Sequence, residues 1–308
     1  MLLLSFFINN VFSQSNRQTK KHKDITHEYA NVNGVNLHYA KVGNGKKLIM
    51  FVHGWPEFWY EYKNQLEEFG NSDEYTVIAP DMRGYNLSSK PDSMKEYHVK
   101  YMVEDLRQLS EKLGHKKFTL VAHDWGGYIA YSFAIAHPNY LEKLVLINST
   151  HPAIFHRELT QNPDQIKSSK YITNFQSLET EKRLSANNFQ SLINIVFGND
   201  LKMRNFTEAD KQEYLKAWSQ PGALTGGLNY YRALVTYNYY VDGTSSYKVN
   251  VPTLVIYGEK DTAVLPGQLI GLDQYVPYLT IKRIPDGSHW VIHEQPEIVN
   301  KYIKEFIK

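Results

Sequence analysis

Hydrophobic and polar positions alternate in blocks along this chain, and the blocks predict its elements. From Thr26 to Val42 two alternating runs, His27–Val32 and Val35–Val42, flank Asn33-Gly34, a two-residue turn signal for a β-hairpin. Lys47–Val52 is a short apolar run of the kind that fills a strand buried on both faces. Tyr62–Phe69 reads as a helix and Tyr75–Pro80 as the next strand. Tyr101–Leu113 carries apolar residues at helical spacing (Met102, Leu106, Leu109, Leu113), with Gly114 as its C-terminal cap. A β-rich run from Phe118 stops at Asp124, and Tyr128–Ala136 reads as a helix. Leu144–Asn148 is another strand.

Strands alternating with helices over Lys47–Asn148 predict a parallel, doubly wound sheet. The rhythm then breaks. From His151 to Asp242 the chain is aromatic and polar, with helical stretches and no convincing strand. It resumes at Val251–Tyr257 and Leu279–Ile284. The division expected is a possible signal peptide (1–13), a polar linker (14–25), a first core part (26–150), a helical cap (151–242) and a second core part (243–308). A ligand site belongs between the strand C-termini and the cap, where open α/β sheets place their clefts. No internal repeats are visible.

Composition narrows the function. With 308 residues, 42% of them hydrophobic, the chain can bury a large core. A net charge of +2 and the lack of a basic cluster beyond Lys20–Lys23 argue against nucleic acid as a partner. The absence of cysteine excludes disulfides, thiolate metal sites and a Cys nucleophile. Met1–Phe12 is apolar but too short to span a bilayer, so no integral membrane span is expected. With Val11 and Ser13 it reads as a signal peptide cleaved after Ser13, and a secreted or secretory-lumen protein follows. The missing basic start and Asn9-Asn10 leave a membrane-surface anchor or a cytoplasmic tail as alternatives. Asn86-Leu87-Ser88 and Asn205-Phe206-Thr207 would be glycosylation acceptors on a eukaryotic secretory path.

The candidate chemistry lies at four strand ends. Asp124 stands between a buried strand and a helix, with Ala122 and Gly126 two residues to either side. That is the strand–turn–helix pattern of a nucleophile elbow, which usually carries Ser. Alone, Asp124 reads equally well as a helix N-cap. His53-Gly54-Trp55-Pro56 ends the first core strand. Its Gly lets backbone approach a ligand, and Trp55-Pro56 is a candidate cis bond. The N–H groups of Trp55 and Trp125 would form a two-donor oxyanion hole. Past a later strand, Glu259 or Asp261 can orient a histidine. Asp261 is preferred because it stands clear of the strand. Of the twelve histidines, His289 and His293 follow the last strand, and His289 lies in a Gly-Ser loop while His293 belongs to the next helix. Nucleophile, acid, histidine is the chain order of the α/β hydrolases.

Taken together, His53–Pro56, Asp81–Tyr85, Ala122–Gly127 and Gly287–Trp290 resemble the epoxide hydrolase family of α/β hydrolases, from about Thr26 to the C-terminus. His151-Pro152 fits the start of that family's cap. The resemblance implies an α/β-hydrolase core with a mostly parallel sheet and an inserted helical lid. It also implies two cap tyrosines that activate the epoxide oxygen, and Tyr231 and Tyr171 match in context. Tyr230 and the Tyr237–Tyr240 cluster read as cap packing. The implied roles are Asp124 nucleophile, His289 base and Asp261 its orienter, with His53, Pro56, Trp125 and Trp290 contacting substrate. A carboxylate suits attack on sp³ carbon, because on an acyl centre it would give an anhydride. The expected reaction turns a small-molecule epoxide and water into a vicinal diol without metal or organic cofactor. A haloalkane dehalogenase would share the Asp–His pair and use the Trp125 indole for halide. A haloacid enzyme should offer arginines near the elbow, and Trp125 and Tyr128 are not arginines. A catalytically silent binding protein of this fold is the third alternative. Oligomeric state is not legible.

Overall fold

A computed structural model describes residues 23–237 and 246–308. The signal-peptide reading of Met1–Ser13, the cap boundary at Asp242 and the Tyr239-Tyr240 pair lie outside the described residues. Within them, no helix is long and apolar enough to cross a membrane.

Eight strands form one sheet in the order β1-β2-β4-β3-β5-β6-β7-β8. They are β1 (Thr26–Val32), β2 (Val35–Val42), β3 (Lys47–Val52), β4 (Tyr75–Pro80), β5 (Phe118–His123), β6 (Leu141–Ile147), β7 (Thr253–Gly258) and β8 (Leu279–Ile284). The β1–β2 hairpin closes with Val32 opposite Val35, through Asn33 (φ 44°) and Gly34 (φ 79°). Positive φ at both turn positions is what the Asn-Gly pair supplies. β2 also runs antiparallel to β4, and every later pairing is parallel.

Strand periodicity divides the core in two. Leu48, Met50, Val52, Leu120 and Ala122 face one layer, while Ile49, Phe51 and Val121 face the other. Helices α2 (Val99–Lys112) and α3 (Asp124–Ala136) cover the first layer with Met102, Leu106, Ile129 and Phe133. Helix α1 (Lys63–Gly70) covers the second with Leu66 and Phe69. Helix α2 ends as expected at Gly114 (φ 80°): Gly114 N–H bonds Glu111 and His115 N–H bonds Ser110. Its start is earlier than the apolar spacing suggests, because the His98 ring accepts the Lys100 N–H as a cap. Asn148 is not the last residue of β6. It leaves the strand with φ 39°.

Between β6 and β7 run only helices among the described residues: α4 (Pro152–Gln161), α5 (Pro163–Ser168), α6 (Lys170–Asn174), α7 (Thr180–Phe197), α8 (Glu208–Trp218) and α9 (Ala223–Tyr237), with short 3₁₀ turns. α7 is broken at Ala186–Phe189, where the backbone leaves helical angles. After β8 come α10 (Val291–Glu294), which holds His293, and α11 (Pro296–Ile307), whose Val299 and Ile303 complete the second layer. The insertion is bonded to the core. The Trp218 indole donates to the Pro56 carbonyl (2.7 Å), the Tyr230 hydroxyl to the Arg83 carbonyl (2.8 Å), and Asp210 accepts from Tyr60 (2.8 Å) and Lys63. The two glycosylation tripeptides do not present free amides. Asn86 is buried and donates to Asp81, and Asn205 donates to the His293 and Glu294 carbonyls.

Candidate active site

The elbow is a sharp turn. Asp124 has φ +50°, a left-handed conformation uncommon for a non-glycine residue. Its neighbours must be small. A Cβ on Gly126 would stand 2.1 Å from the Val52 carbonyl oxygen, and one on Gly54 would stand 2.5 Å from the Asp124 Cβ. Main chain from the β3 and β5 ends therefore meets at the carboxylate. Asp124 does not cap α3. The cap position is His123, and no side-chain cap bond is present there. Instead Asp124 Oδ1 accepts the Trp55 N–H at 2.8 Å, across the Trp55-Pro56 cis bond's loop. Trp125 lies in the first turn of α3, whose N–H groups have no intrahelical acceptor.

Behind Asp124 stands a second carboxylate, with a histidine between the two. His289 Nε2 lies 3.5 Å from Asp124 Oδ2, and His289 Nδ1 donates to Asp261 Oδ2 at 2.8 Å. Asp261, not Glu259, reaches the ring. Glu259 is turned to the surface, where it pairs with Arg283. Asp261 also accepts from Asn148 Nδ2 (2.6 Å) and from the Ala263 and Val264 N–H groups (2.7 and 2.9 Å). Burial opposes ionisation of both aspartates, but His289, with the Trp55 N–H and His123 at Asp124 and with Asn148 and the Val264 N–H at Asp261, outweighs it and holds each below the ordinary carboxylate value. Burial likewise opposes the His289 cation, yet Asp261 and Asp124 raise it well above the ordinary imidazole value.

Two cavities, of about 410 and 880 Å³, share Asp124, Tyr171 and Tyr231 in their walls. The smaller adds Trp125, Tyr128, Phe155 and Leu234, and the larger adds Trp55, Phe175, Ile195, Arg204, His289 and Trp290. Both tyrosines come from the insertion, from α6 and α9, and their rings meet edge-on with centroids 5.8 Å apart. Burial pushes both phenols far above their ordinary value, so both carry their protons. The Trp125 and Tyr231 rings meet edge-on with centroids 5.2 Å apart.

Not every sequence candidate lines these cavities. His53 and Pro56 stand outside both. The His53 ring is buried, accepting the Met82 N–H (3.0 Å) and donating to its neighbour's Gly54 carbonyl (2.8 Å), so it holds the loop and has no nitrogen left for a ligand. The Pro56 carbonyl accepts the Trp218 indole N–H instead. Tyr230 is packed and bonded to Arg83, whose guanidinium is held by Asp105.

Three residues were not foreseen. Asn148 ties β6 to Asp261 and to the Gly258 N–H (2.9 Å), Ser149 Oγ donates to the Asp124 carbonyl (2.8 Å), and Arg204 lines the larger cavity. The Arg204 head is engaged by the Ile195 and Val196 carbonyls (2.7 and 2.6 Å) and lies 3.6 Å from Glu294. A polar pair just past a strand was the only trace of Asn148 and Ser149.

Residues 47–296 match the family model described as alpha/beta hydrolase fold, which sets the class. Within it, the chain is 35% identical over 292 residues to "Epoxide hydrolase 4" of Mus musculus, covering 92% of this chain and 80% of that protein. It is 35% identical to "Epoxide hydrolase 2" of Caenorhabditis elegans, covering 92% and 81%. A crystal structure of a Bacillus megaterium epoxide hydrolase in complex with an inhibitor superposes with a TM-score of 0.85, at 37% identity, over 91% of this chain and 99% of that one. The chain belongs to the epoxide hydrolase family of the α/β hydrolases.

Proposed function

We propose that this chain hydrolyses small-molecule epoxides to vicinal diols through a covalent ester on Asp124. One observation carries the reading: a carboxylate, not a hydroxyl, stands at the elbow, with an imidazole behind it and two un-ionised phenols across the cavity. The relatives named above support it.

Oδ1 is held by the Trp55 N–H, so Oδ2 is the oxygen free to attack. Attack on one ring carbon breaks its C–O bond, and the leaving oxygen takes a proton from Tyr231 or Tyr171. Alkylation removes the Asp124 charge, one of the two anions that keep His289 protonated. His289 thereby passes its proton to the phenolate, restoring the phenol, and as a neutral base takes one from water. That water attacks the ester carbonyl, whose oxygen is the former Oδ1, held by the Trp55 and Trp125 N–H groups. The acyl C–Oδ2 bond then breaks, the added hydroxyl's proton passes to Oδ2, and the diol leaves with the former Oδ2 while the Asp124 carboxylate and the His289 imidazolium are restored. In this reading the insertion, from His151 to about Asp242, is a cap that carries both acids. A haloalkane dehalogenase would use the Trp125 indole for halide and has no need of two un-ionised phenols in the same walls as Asp124.

A single turnover in ¹⁸O-water tests the proposal. The diol should form unlabelled while heavy oxygen enters the peptide containing Asp124. Labelled diol with an unlabelled peptide would mean that water attacks the epoxide directly.

A further inference from the structure

Next to the site lies a group of charged side chains that the proposed reaction does not use. Glu57, Glu61, His123 and His293 are each at most 2% exposed. Glu57 Oε1 accepts from His293 Nε2 (2.8 Å) and from the Tyr214 hydroxyl. Glu61 Oε2 accepts the Gly54 N–H (2.9 Å). His123 Nε2 donates to the His289 carbonyl (2.9 Å). Burial keeps that ring below its ordinary value and therefore neutral, so its Nδ1 is a bare lone pair.

Three atoms remain: Glu57 Oε2, Glu61 Oε1 and His123 Nδ1. All are buried, and none has a hydrogen-bond partner among the described residues. They lie within 4.8 Å of one another, with Nδ1 2.8 Å from Glu61 and 4.0 Å from Glu57. Three acceptors facing one another without a donor cannot persist in a dry interior. A cation or a proton would resolve them. Two ligands of a tetrahedral zinc stand roughly 3.3 Å apart, so the 2.8 Å pair is too close for that ion and has the length of a hydrogen bond, which suits a shared hydrogen.

We propose that Glu61 carries a carboxyl proton that it shares with the His123 Nδ1 lone pair, leaving Glu57 as the anion, and that this neutral acid is a positioning residue fixing the Gly54–Trp55 backbone against Asp124. Glu57 is the anion because two donors converge on its Oε1. Burial and the Glu57 charge push the Glu61 carboxyl well above its ordinary value, while His293, against burial, holds Glu57 below its own. The position of Glu61 gives the role. It holds the Gly54 N–H, and the next N–H, of Trp55, points at Asp124 Oδ1. Its other oxygen faces His123, which holds the carbonyl of His289. One neutral carboxyl thus braces both the oxyanion loop and the loop of the base. Glu57, His123 and Asp124, His293 from α10, Tyr214 from α8 and the adjoining Tyr62 all face this pocket. A second anion there would repel both Glu57 and Asp124.

Infrared spectroscopy of the whole enzyme at pH 8.5 tests this. Asp105, pushed up to about 6 by burial, is ionised at that pH. A carboxylic-acid C=O band should remain in the wild type and vanish in Glu61→Gln. ¹³C labelling of glutamate side-chain carboxyls should shift the wild-type band, so the assignment stands even if the variant does not fold. Glu61→Gln keeps a neutral acceptor and donor, and its epoxide turnover should stay within about 3-fold of wild type. Glu61→Leu should lower kcat ~10-fold or more, with KM less changed. A wild-type spectrum without the acid band, or a band that survives in Glu61→Gln, overturns the shared proton. A folded Glu61→Gln enzyme as impaired as Glu61→Leu overturns the positioning role. The turnover arm rests on the epoxide reading, whereas the infrared arm needs no substrate, so the two can fail separately.

Discussion

Tyr231 and His289 carry the most informative single changes. Tyr231→Phe removes one hydroxyl from a pair of donors and leaves a buried ring in place. Epoxide turnover should fall roughly 10–10⁴-fold with little change in stability. Unchanged turnover, checked by steady-state kinetics beside an inactive Asp124→Ala control, would leave Tyr171 as the acid. For His289 the sign of the pH effect is fixed by its raised native value. An unfolded-chain histidine titrates near ~6.5, so the stabilisation from protonated His289 is full below that and is lost as pH rises through the native value. The melting-temperature gap between wild type and His289→Gln should therefore narrow above pH ~6.5. A constant gap up to pH 10 would mean a neutral imidazole at rest. His289→Gln should also accumulate the Asp124 ester, seen as added substrate mass on that peptide. The sequence made Asp124, Asp261 and His289 visible because each sits beside Gly or a strand end, and those signals are local. Asn148, Ser149 and Glu61 had no such signal. Each matters through a partner far along the chain, such as Asp261, 113 positions from Asn148.

At the scale of elements, the junction of β3, β5 and α3 tolerates least. Gly126→Ala would put a methyl against the Val52 and His53 carbonyls, which the sheet fixes. It should cost ~2 kcal/mol or more, measured by urea unfolding. A smaller cost with normal activity would show that the junction can relax. The strands were readable because both sheet faces are covered, so β5 and β7 are buried throughout and mostly apolar. Their ends were less so. Apolar pattern extends as far as burial does, and β6 stops where Asn148 turns out of the ladder, a choice made by hydrogen bonds to Gly258 and Asp261. The insertion was recognisable only as a loss of strand rhythm. Its helices are partly polar-faced because they lean on the core through specific bonds, such as Asp210 to Tyr60 and Lys63, as much as through an apolar stripe. That also explains His53: a histidine at a strand end looks like a ligand until the main chain around it is known to need both ring nitrogens.

Across the whole molecule, sheet and insertion close around one small volume, and Asp124, Tyr171 and Tyr231 belong to the walls on either side of it. In the proposed reaction an epoxide would sit there like a bead on a thread, its three-membered ring at Asp124 and one substituent in each chamber. The chambers differ in size, about 410 against 880 Å³, and in lining, so the two ends of an unsymmetrical substrate are not interchangeable. Which end goes where decides which ring carbon meets the carboxylate. Phe155→Ala, which widens the smaller chamber, and Ile195→Ala, which widens the larger, should therefore move the ratio of attack in opposite directions on the same 1,2-disubstituted epoxide, read from oxygen-isotope position in the diol. Equal shifts, or none, would mean that electronics and not fit choose the carbon. If fit chooses, the handedness of the product is written in the difference between two rooms rather than in the chemistry at the doorway between them.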